Sequence, residues 1–197
     1  MHQLFLGSES PRRRELLQQA GIPFLVFPVK VSEIPDKNLN VDQRILAIAR
    51  QKATAAYPLL EKSQTSPFVL LTADTEVVLD DELLGKPTST AHAFAILRNL
   101  SGRAHHVKTG ICLIEGKTRR EVSQVETSEV HFRVLSDQEI SEYVKTGEPM
   151  DKAGAYGIQG LGRGLIASFQ GDFNNIVGLP ITALLQTFKN EGWKFTK

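Results

Sequence analysis

Apolar positions open the chain as a short block, Leu4-Phe5-Leu6, which breaks at Gly7 and Ser8 into a segment carrying Leu16 and Leu17. This pattern predicts a strand, a turn and a helix. Ser10 stands where an N-cap belongs, Pro11 occupies the first helical position, where its missing N–H costs nothing, and Gly21 ends the segment. Phe24 to Val29 reads as a second strand. After a polar connection from Ser32 to Asn40, Val41, Ile45, Ile48 and Ala49 recur at helical spacing, predicting an amphipathic helix capped by Asn40 that runs to about Tyr57. Phe68-Val69-Leu70-Leu71 has the unbroken apolar character of a buried strand, expected to end at Ala73-Asp74-Thr75. Val77-Val78-Leu79, Asp80-Asp81 and Leu83-Leu84 suggest a hairpin closed by Gly85-Lys86-Pro87, with a helix from about Ser89 to Asn99.

Val107 to Ile114 and Val122 to Val134 read as paired strands around Gly116. Ser136-Asp137-Gln138-Glu139 is a capping box opening a helix with Ile140, Tyr143 and Val144 inward, stopped by Gly147 and Pro149. From Asp151 to Gly164 the chain spends five of its fifteen glycines among few apolar residues, which predicts a loop that approaches a ligand closely. Leu165 to Phe169 reads as a strand. A terminal helix starts at Pro180 and carries Ala183, Leu184, Leu185 and Phe188, with Gly192 past its end. Helices and strands are interspersed without strict alternation, so the expected class is mixed α/β rather than a regular doubly wound sheet.

Composition narrows the functions available. The 197 residues suit one domain over 1–197, and 41% hydrophobic with 23% charged residues is ordinary for a globular chain. A formal net charge of +1 supplies no general pull toward nucleic acid or an anionic membrane. The apolar runs are too short to span a bilayer and Met1-His2-Gln3-Leu4 has no basic n-region, so a cytoplasmic protein is expected. Cys112, between Ile111 and Leu113, reads as a small buried hydrophobe rather than a nucleophile. The five histidines show no zinc-ligand spacing, a Walker lysine loop is missing, and the glycines of Gly160-Leu161-Gly162-Arg163-Gly164 are wrongly spaced for a dinucleotide fingerprint.

What remains is anion chemistry. A helix that starts at Ser10 and Pro11 offers unpaired N–H groups and a positive dipole end. Arg12, Arg13 and Arg14 oppose that dipole by up to about 1 kcal/mol each, so they call for a compensating anion or a solvated basic face. Successive helical residues diverge by about 100°, so one phosphate does not recruit all three, and Arg14 is expected at the surface. Lys52 falls on the apolar stripe set by Ile45 and Ile48, where a lysine either snorkels or meets an anion. Asp74, emerging from an apolar run, is an Asx turn or a ligand-binding group, with Thr75 beside it. Glu33 and Asp151 are weaker candidates for a second carboxylate, and spacing does not choose between them.

Taken together, Ser8-Glu9-Ser10-Pro11-Arg12-Arg13, Ala73-Asp74-Thr75, Gly85-Lys86-Pro87, Asp151-Lys152-Ala153-Gly154 through Gln159-Gly160, and Val177-Gly178-Leu179-Pro180 resemble the Maf family of nucleotide pyrophosphatases. The match runs nearly end to end. The resemblance implies an elongated mixed α/β sheet flanked by helices, similar to inosine triphosphate pyrophosphatases, with two lobes and a central cleft. It further implies a divalent metal, magnesium or manganese, a nucleoside triphosphate substrate and, in many members, a homodimer. Ala155-Tyr156-Gly157-Ile158-Gln159-Gly160 resembles the branch acting on dTTP and UTP. Arg12, Thr75 and Gln159 match its specificity positions and Asp74 its general base. Glu33 and Asp74 are the implied metal ligands, and Ser8, Ser10, Arg13, Lys52 and Lys86 the implied phosphate contacts. The family is also associated with inhibition of septum formation, so the alternative implied is a nucleotide-binding regulator without turnover.

Overall fold

In the computed structural model, which describes residues 1–31, 36 and 38–195, the first strand β1 (Gln3–Leu6) leads through Gly7 into α1 (Pro11–Gln19). Ser10 caps that helix by accepting the Arg13 backbone N–H. The next strand, β2 (Leu25–Val26), is far shorter than the expected Phe24 to Val29. Pro23 and Pro28 flank it, and neither has an N–H to give a ladder. α2 (Val41–Ser63) begins with a full capping box between Asn40 and Gln43 and runs past the expected end at Tyr57, with Pro58 inside it. Thr54 and Pro58 both lie on the exposed face, so the bond the proline cannot make is missing on the solvent side of the helix, while buried Leu60 continues the apolar stripe.

β3 (Phe68–Leu79) is a single strand of 12 residues rather than a strand that stops at Asp74. The reason lies in α2. Thr72 donates its hydroxyl to Ala49 O at 2.7 Å and Asp74 takes Lys52 at 2.8 Å, so two polar side chains on one face of the strand are buried with partners. β4 (Glu82–Leu83) closes the expected hairpin on the end of β3. Then come α3 (Thr90–Leu100), β5 (Ala104–Glu115) and β6 (Glu121–Phe132). Val134, expected to prolong β6, lies beyond its end at 82% exposure. Leu135 is the residue that turns inward, its N–H bonded to Ser101 Oγ at 2.7 Å.

α4 (Asp137–Lys145) has the expected capping box between Ser136 and Glu139. The glycine-rich stretch expected as loop is wound into three short 3-10 turns, Glu148–Asp151, Ala153–Ala155 and Gly160–Leu165. β7 (Ile166–Gln170), an unforeseen short helix α5 (Phe173–Val177) and α6 (Ile181–Glu191) complete the chain. The strands form one mixed sheet in the order β2-β1-β3-β5-β6-β7, with β4 on β3. β1 pairs parallel with β2 and β3, whereas β3 with β4 and β6 with β7 are antiparallel.

Chain contacts divide the fold into two units, the first comprising residues 1–74, 109–126 and 178–197, the second 75–108 and 127–177. The first has a core of Phe5, Ala49, Ala53, Ala56, Leu60, Phe68, Leu70 and Cys112, in which the Phe5 ring meets Phe27 and Phe68 edge-on. Burial raises the Cys112 thiol to about 11, so it stays protonated, as expected of a core hydrophobe. The second unit is built on α3 and α4 and on an edge-to-face trio of His105, Phe132 and Tyr156. Gly154, at φ 68°, lies so close to Val77 that a Cβ would come within 2.7 Å of it, and its N–H bonds Gly85 O at 2.8 Å. That contact ties the Gly85-Lys86-Pro87 turn to the glycine-rich segment.

Candidate active site

The first unit holds the turn expected to bind an anion, Ser8 to Arg13, and the Asp74 carboxylate. β1 and β3 run parallel with Leu6 opposite Leu71. The chain leaves the sheet at Gly7, whose N–H still bonds Leu71 O at 2.8 Å, while β3 continues to Asp74. A Cβ at Gly7 would come within 2.7 Å of Thr72 Cγ2, so only glycine lets the turn pass this close to the strand. The Ser8 to Arg13 turn therefore opens beside the stretch of β3 that leads into Asp74.

Within that turn the buried Ser8 hydroxyl accepts from Ser10 N–H and from Arg13 Nη1, both at 3.2 Å. Two acceptor positions are thereby used, which leaves the Ser8 hydroxyl proton as a donor for an anion. Arg13 Nε donates to Gly178 O at 2.9 Å, so this arginine braces the turn against the Gly178-Leu179-Pro180 segment as well as facing Ser8. Arg12 is half-buried on the same first turn, Arg14 is exposed as expected, and no acidic side chain occupies that turn.

Lys52 and Asp74 are the most informative pair. Lys52 Nζ meets Asp74 Oδ1 at 2.8 Å and Ala73 O at 3.4 Å, with 14% and 11% of the two side chains exposed. Of the two fates open to a lysine on an apolar stripe, it has met an anion. Removing both ions from water costs several kcal/mol each, and the attraction between them barely repays it, so a hydrophobic pair of equal volume would serve stability as well or better. The pair is a cost carried by the fold where α2 meets β3, and stability alone does not account for it.

Of the two implied metal ligands, Asp74 alone lies among the described residues, and it could join a hard divalent cation only together with water and polyphosphate oxygens. Magnesium takes one or two carboxylates and fills its remaining positions with water and phosphate oxygens. Asp74 supplies one carboxylate whose Oδ1 already holds Lys52. Among the described residues no group of three His, Cys, Asp or Glu side chains forms a self-sufficient metal cage. Glu33 lies outside the described residues. Asp151, the other weak candidate, is exposed and paired with its neighbour Lys152 at 2.7 Å.

The second unit holds Thr75, Lys86 and Gln159. Thr75 follows Asp74 along β3 and so faces the opposite side of the strand, half-buried. Lys86 is exposed on the turn after Gly85, which has φ 57°. Gln159 is exposed in extended backbone just ahead of the 3-10 turn Gly160–Leu165.

Behind Gln159 lies a residue that the sequence reading missed. Glu148 Oε1 accepts from Tyr143 hydroxyl and from Gly162 N–H, both at 2.9 Å, and Oε2 accepts from Leu161 N–H at 3.0 Å. The Tyr143 hydroxyl accepts in turn from Gly157 N–H at 3.4 Å. Lys152 Nζ donates to the Glu148 backbone carbonyl at 2.7 Å. Burial pushes the Glu148 carboxyl upward, but the Gly162 and Leu161 N–H groups, with Tyr143 and Lys152, outweigh it and hold the group below its ordinary range. Burial and this carboxylate raise the Tyr143 phenol, which remains a proton donor. The available signal was a carboxylate between helix-stopping Gly147 and Pro149, directly ahead of a glycine-rich run whose N–H groups need acceptors.

A model of the Maf-like protein family matches residues 3–191. The dTTP/UTP pyrophosphatase of Bdellovibrio bacteriovorus is 58% identical over 178 residues, covering 90% of this chain and 93% of its own. Proteins of the same name from Symbiobacterium thermophilum and Caldicellulosiruptor bescii are 45% and 40% identical, over 98% and 100% of this chain and 96% and 98% of theirs. Among solved structures, the Staphylococcus aureus Ham1 protein shares the fold at a TM-score of 0.52 and 16% identity, with 98% of this chain and all (100%) of that one aligned. With most of its length matched by the family model and by relatives well above 30% identity, the chain belongs to the Maf-like protein family.

Proposed function

We propose that this chain hydrolyses pyrimidine nucleoside triphosphates, dTTP and UTP foremost, to the monophosphate and pyrophosphate. The observation that carries the reading is the buried pair of Lys52 on α2 and Asp74 on β3, next to the Ser8 to Arg13 turn. The names of relatives up to 58% identical support the substrate class.

In this reading Asp74 takes the proton of a water whose oxygen bonds the α-phosphorus, while the bond from that phosphorus to the bridging oxygen breaks and pyrophosphate departs. The Asp74 Oδ1 contact orients the carboxylate through Lys52, whose charge also opposes the negative charge gathering on the phosphate oxygens. Ser8, Ser10, Arg13 and Lys86 serve as phosphate contacts, Arg13 having the additional duty of bracing the turn. Arg12, Thr75 and Gln159 select the base, Gln159 through an amide that matches the donor and acceptor edge of uracil or thymine. A magnesium or manganese ion held by Asp74, with Glu33 as its second carboxylate, supplies charge neutralisation for the polyphosphate. A cytoplasmic setting and a homodimer complete the reading. No helix among the described residues is long and apolar enough to cross a membrane.

A regulator that binds nucleotide without turnover is the weaker reading, since binding alone gives no reason to bury a carboxylate and a lysine together. A panel of dTTP, UTP, CTP, GTP and ATP, with and without magnesium or manganese, separates the two. Equal amounts of monophosphate and pyrophosphate from dTTP and UTP, dependent on the metal, are expected. Saturable dTTP binding without product would replace the enzyme by a sensor.

A further inference from the structure

The residues assigned to base selection include one, Gln159, that stands on short irregular backbone and is exposed. An exposed amide on a mobile loop discriminates poorly, because each ligand pays to order it. The backbone on both sides of Gln159 is nevertheless fixed. Two residues before it, Gly157 N–H is taken by the Tyr143 hydroxyl, and two and three residues after it, Leu161 and Gly162 N–H are taken by Glu148. Tyr143 and Glu148 are themselves hydrogen-bonded at 2.9 Å, so the two clamps are one unit. The approach is close enough that a Cβ on Gly160 would sit 2.9 Å from Glu148 Oε2, and one on Gly157 would sit 2.9 Å from Lys152 Cε.

We infer that Glu148 is a specificity-positioning residue: its carboxylate, joined to Tyr143, holds the Gly157 to Gly162 segment so that Gln159 presents its amide in one orientation to the nucleotide base. The inference rests on the reading of Gln159 as a base contact. The carboxylate is suited to the task because a single ionised group accepts three hydrogen bonds, each stronger for its charge. Its reach is through backbone and a phenol rather than through the substrate, so its loss weakens recognition more than chemistry.

The test compares Glu148→Ala, Glu148→Gln, Tyr143→Phe, Gln159→Ala and the double variant Glu148→Ala/Gln159→Ala. For each, KM and kcat are measured with dTTP, UTP and GTP, beside the thermal midpoint. Removing hydrogen bonds to a charged acceptor is expected to raise KM for dTTP and UTP about tenfold in Glu148→Ala, while kcat falls less than about threefold. The preference for dTTP over GTP is expected to fall by about the same factor as in Gln159→Ala, and the double variant to lose little more than Gln159→Ala alone. Glu148→Gln, which keeps an acceptor, restores part of the preference, and Tyr143→Phe gives a smaller effect of the same sign.

An unchanged dTTP to GTP ratio in Glu148→Ala, alongside a reduced ratio in Gln159→Ala, overturns the inference and leaves the Gln159 reading intact. Losses that multiply in the double variant also overturn it. An unchanged ratio in Gln159→Ala removes the reading of Gln159 itself. If Glu148→Ala does not fold, Glu148→Gln and Tyr143→Phe carry the same comparison.

Discussion

The two units of this protein hold their polar groups in opposite ways. In the first, the groups proposed for chemistry are bonded to one another, Lys52 of α2 to Asp74 of β3 and Arg13 of α1 to Ser8, with Gly178 O bracing Arg13. In the second, Lys86 and Gln159 are exposed, and the bonds that matter lie behind them, from Glu148 and Tyr143 to backbone N–H groups and from Gly154 N–H to Gly85 O. For the proton-accepting role proposed for Asp74, a fixed direction and a controlled charge are needed, which a strand and a paired lysine provide. For the base-reading role proposed for Gln159, the side chain must be open to the ligand while its backbone is held, which an exposed residue on a braced turn provides.

The largest effect that would break this contrast is on turnover. Asp74→Asn keeps the shape of the side chain but cannot take a proton, so kcat for dTTP is expected to fall about 10³-fold, within the usual contribution of a general base. The preference for dTTP over GTP in equilibrium binding should stay unchanged. Gln159→Ala should show the converse pattern, and a variant of either residue that moves both quantities equally would erase the division of labour.

Next comes stability. Lys52→Met leaves Asp74 buried without its cation, and a loss of about 3 kcal/mol in urea denaturation is expected, as for other broken buried pairs. Adding Asp74→Asn should recover most of that stability without recovering activity. Failure of the second substitution to stabilise the first would mean that the pair is not electrostatically coupled.

A smaller and pH-dependent effect tests the core of the second unit. Burial, reinforced by His106 and His131, pushes His105 down to about 3, and its Nε2 faces the Tyr156 hydroxyl at 2.7 Å. The native state holds this imidazole neutral, whereas the unfolded chain protonates it near 6.5. The associated stability is therefore complete above about 6.5 and drains away as pH falls toward about 3, amounting to about 2 kcal/mol between pH 7 and 5. Replacing both partners, His105→Phe with Tyr156→Phe, is expected to flatten the pH dependence of the urea midpoint over that range; an unaltered slope would place the titration elsewhere.

What the sequence revealed, and what it hid, follows from the range of the interactions. Helix starts at Ser10, Asn40, Ser89 and Ser136 were legible because each cap bonds an N–H only three residues away. Lys52 was legible as an anomaly on an apolar stripe, but its partner was not, since Asp74 lies 22 residues further along the chain. The same distance hid the continuation of β3, which depends on α2 to satisfy Thr72 and Asp74. Short α5 was missed because it is secured by tertiary contacts of Asn175, whose amide donates to Val107 O and Ser128 Oγ, rather than by a local pattern. Glu148 was overlooked for a related reason: its three donors come from Tyr143 and from N–H groups that carry no side-chain signature. Glu33 lies outside the described residues.

Hydrolysis of dTTP in ¹⁸O-labelled water, with both products weighed, shows whether water attacks the α-phosphorus and releases pyrophosphate. Attack at the α-phosphorus places one ¹⁸O atom in the thymidine monophosphate and none in the pyrophosphate. Label in the pyrophosphate, or orthophosphate with the diphosphate nucleotide as the products, would contradict it.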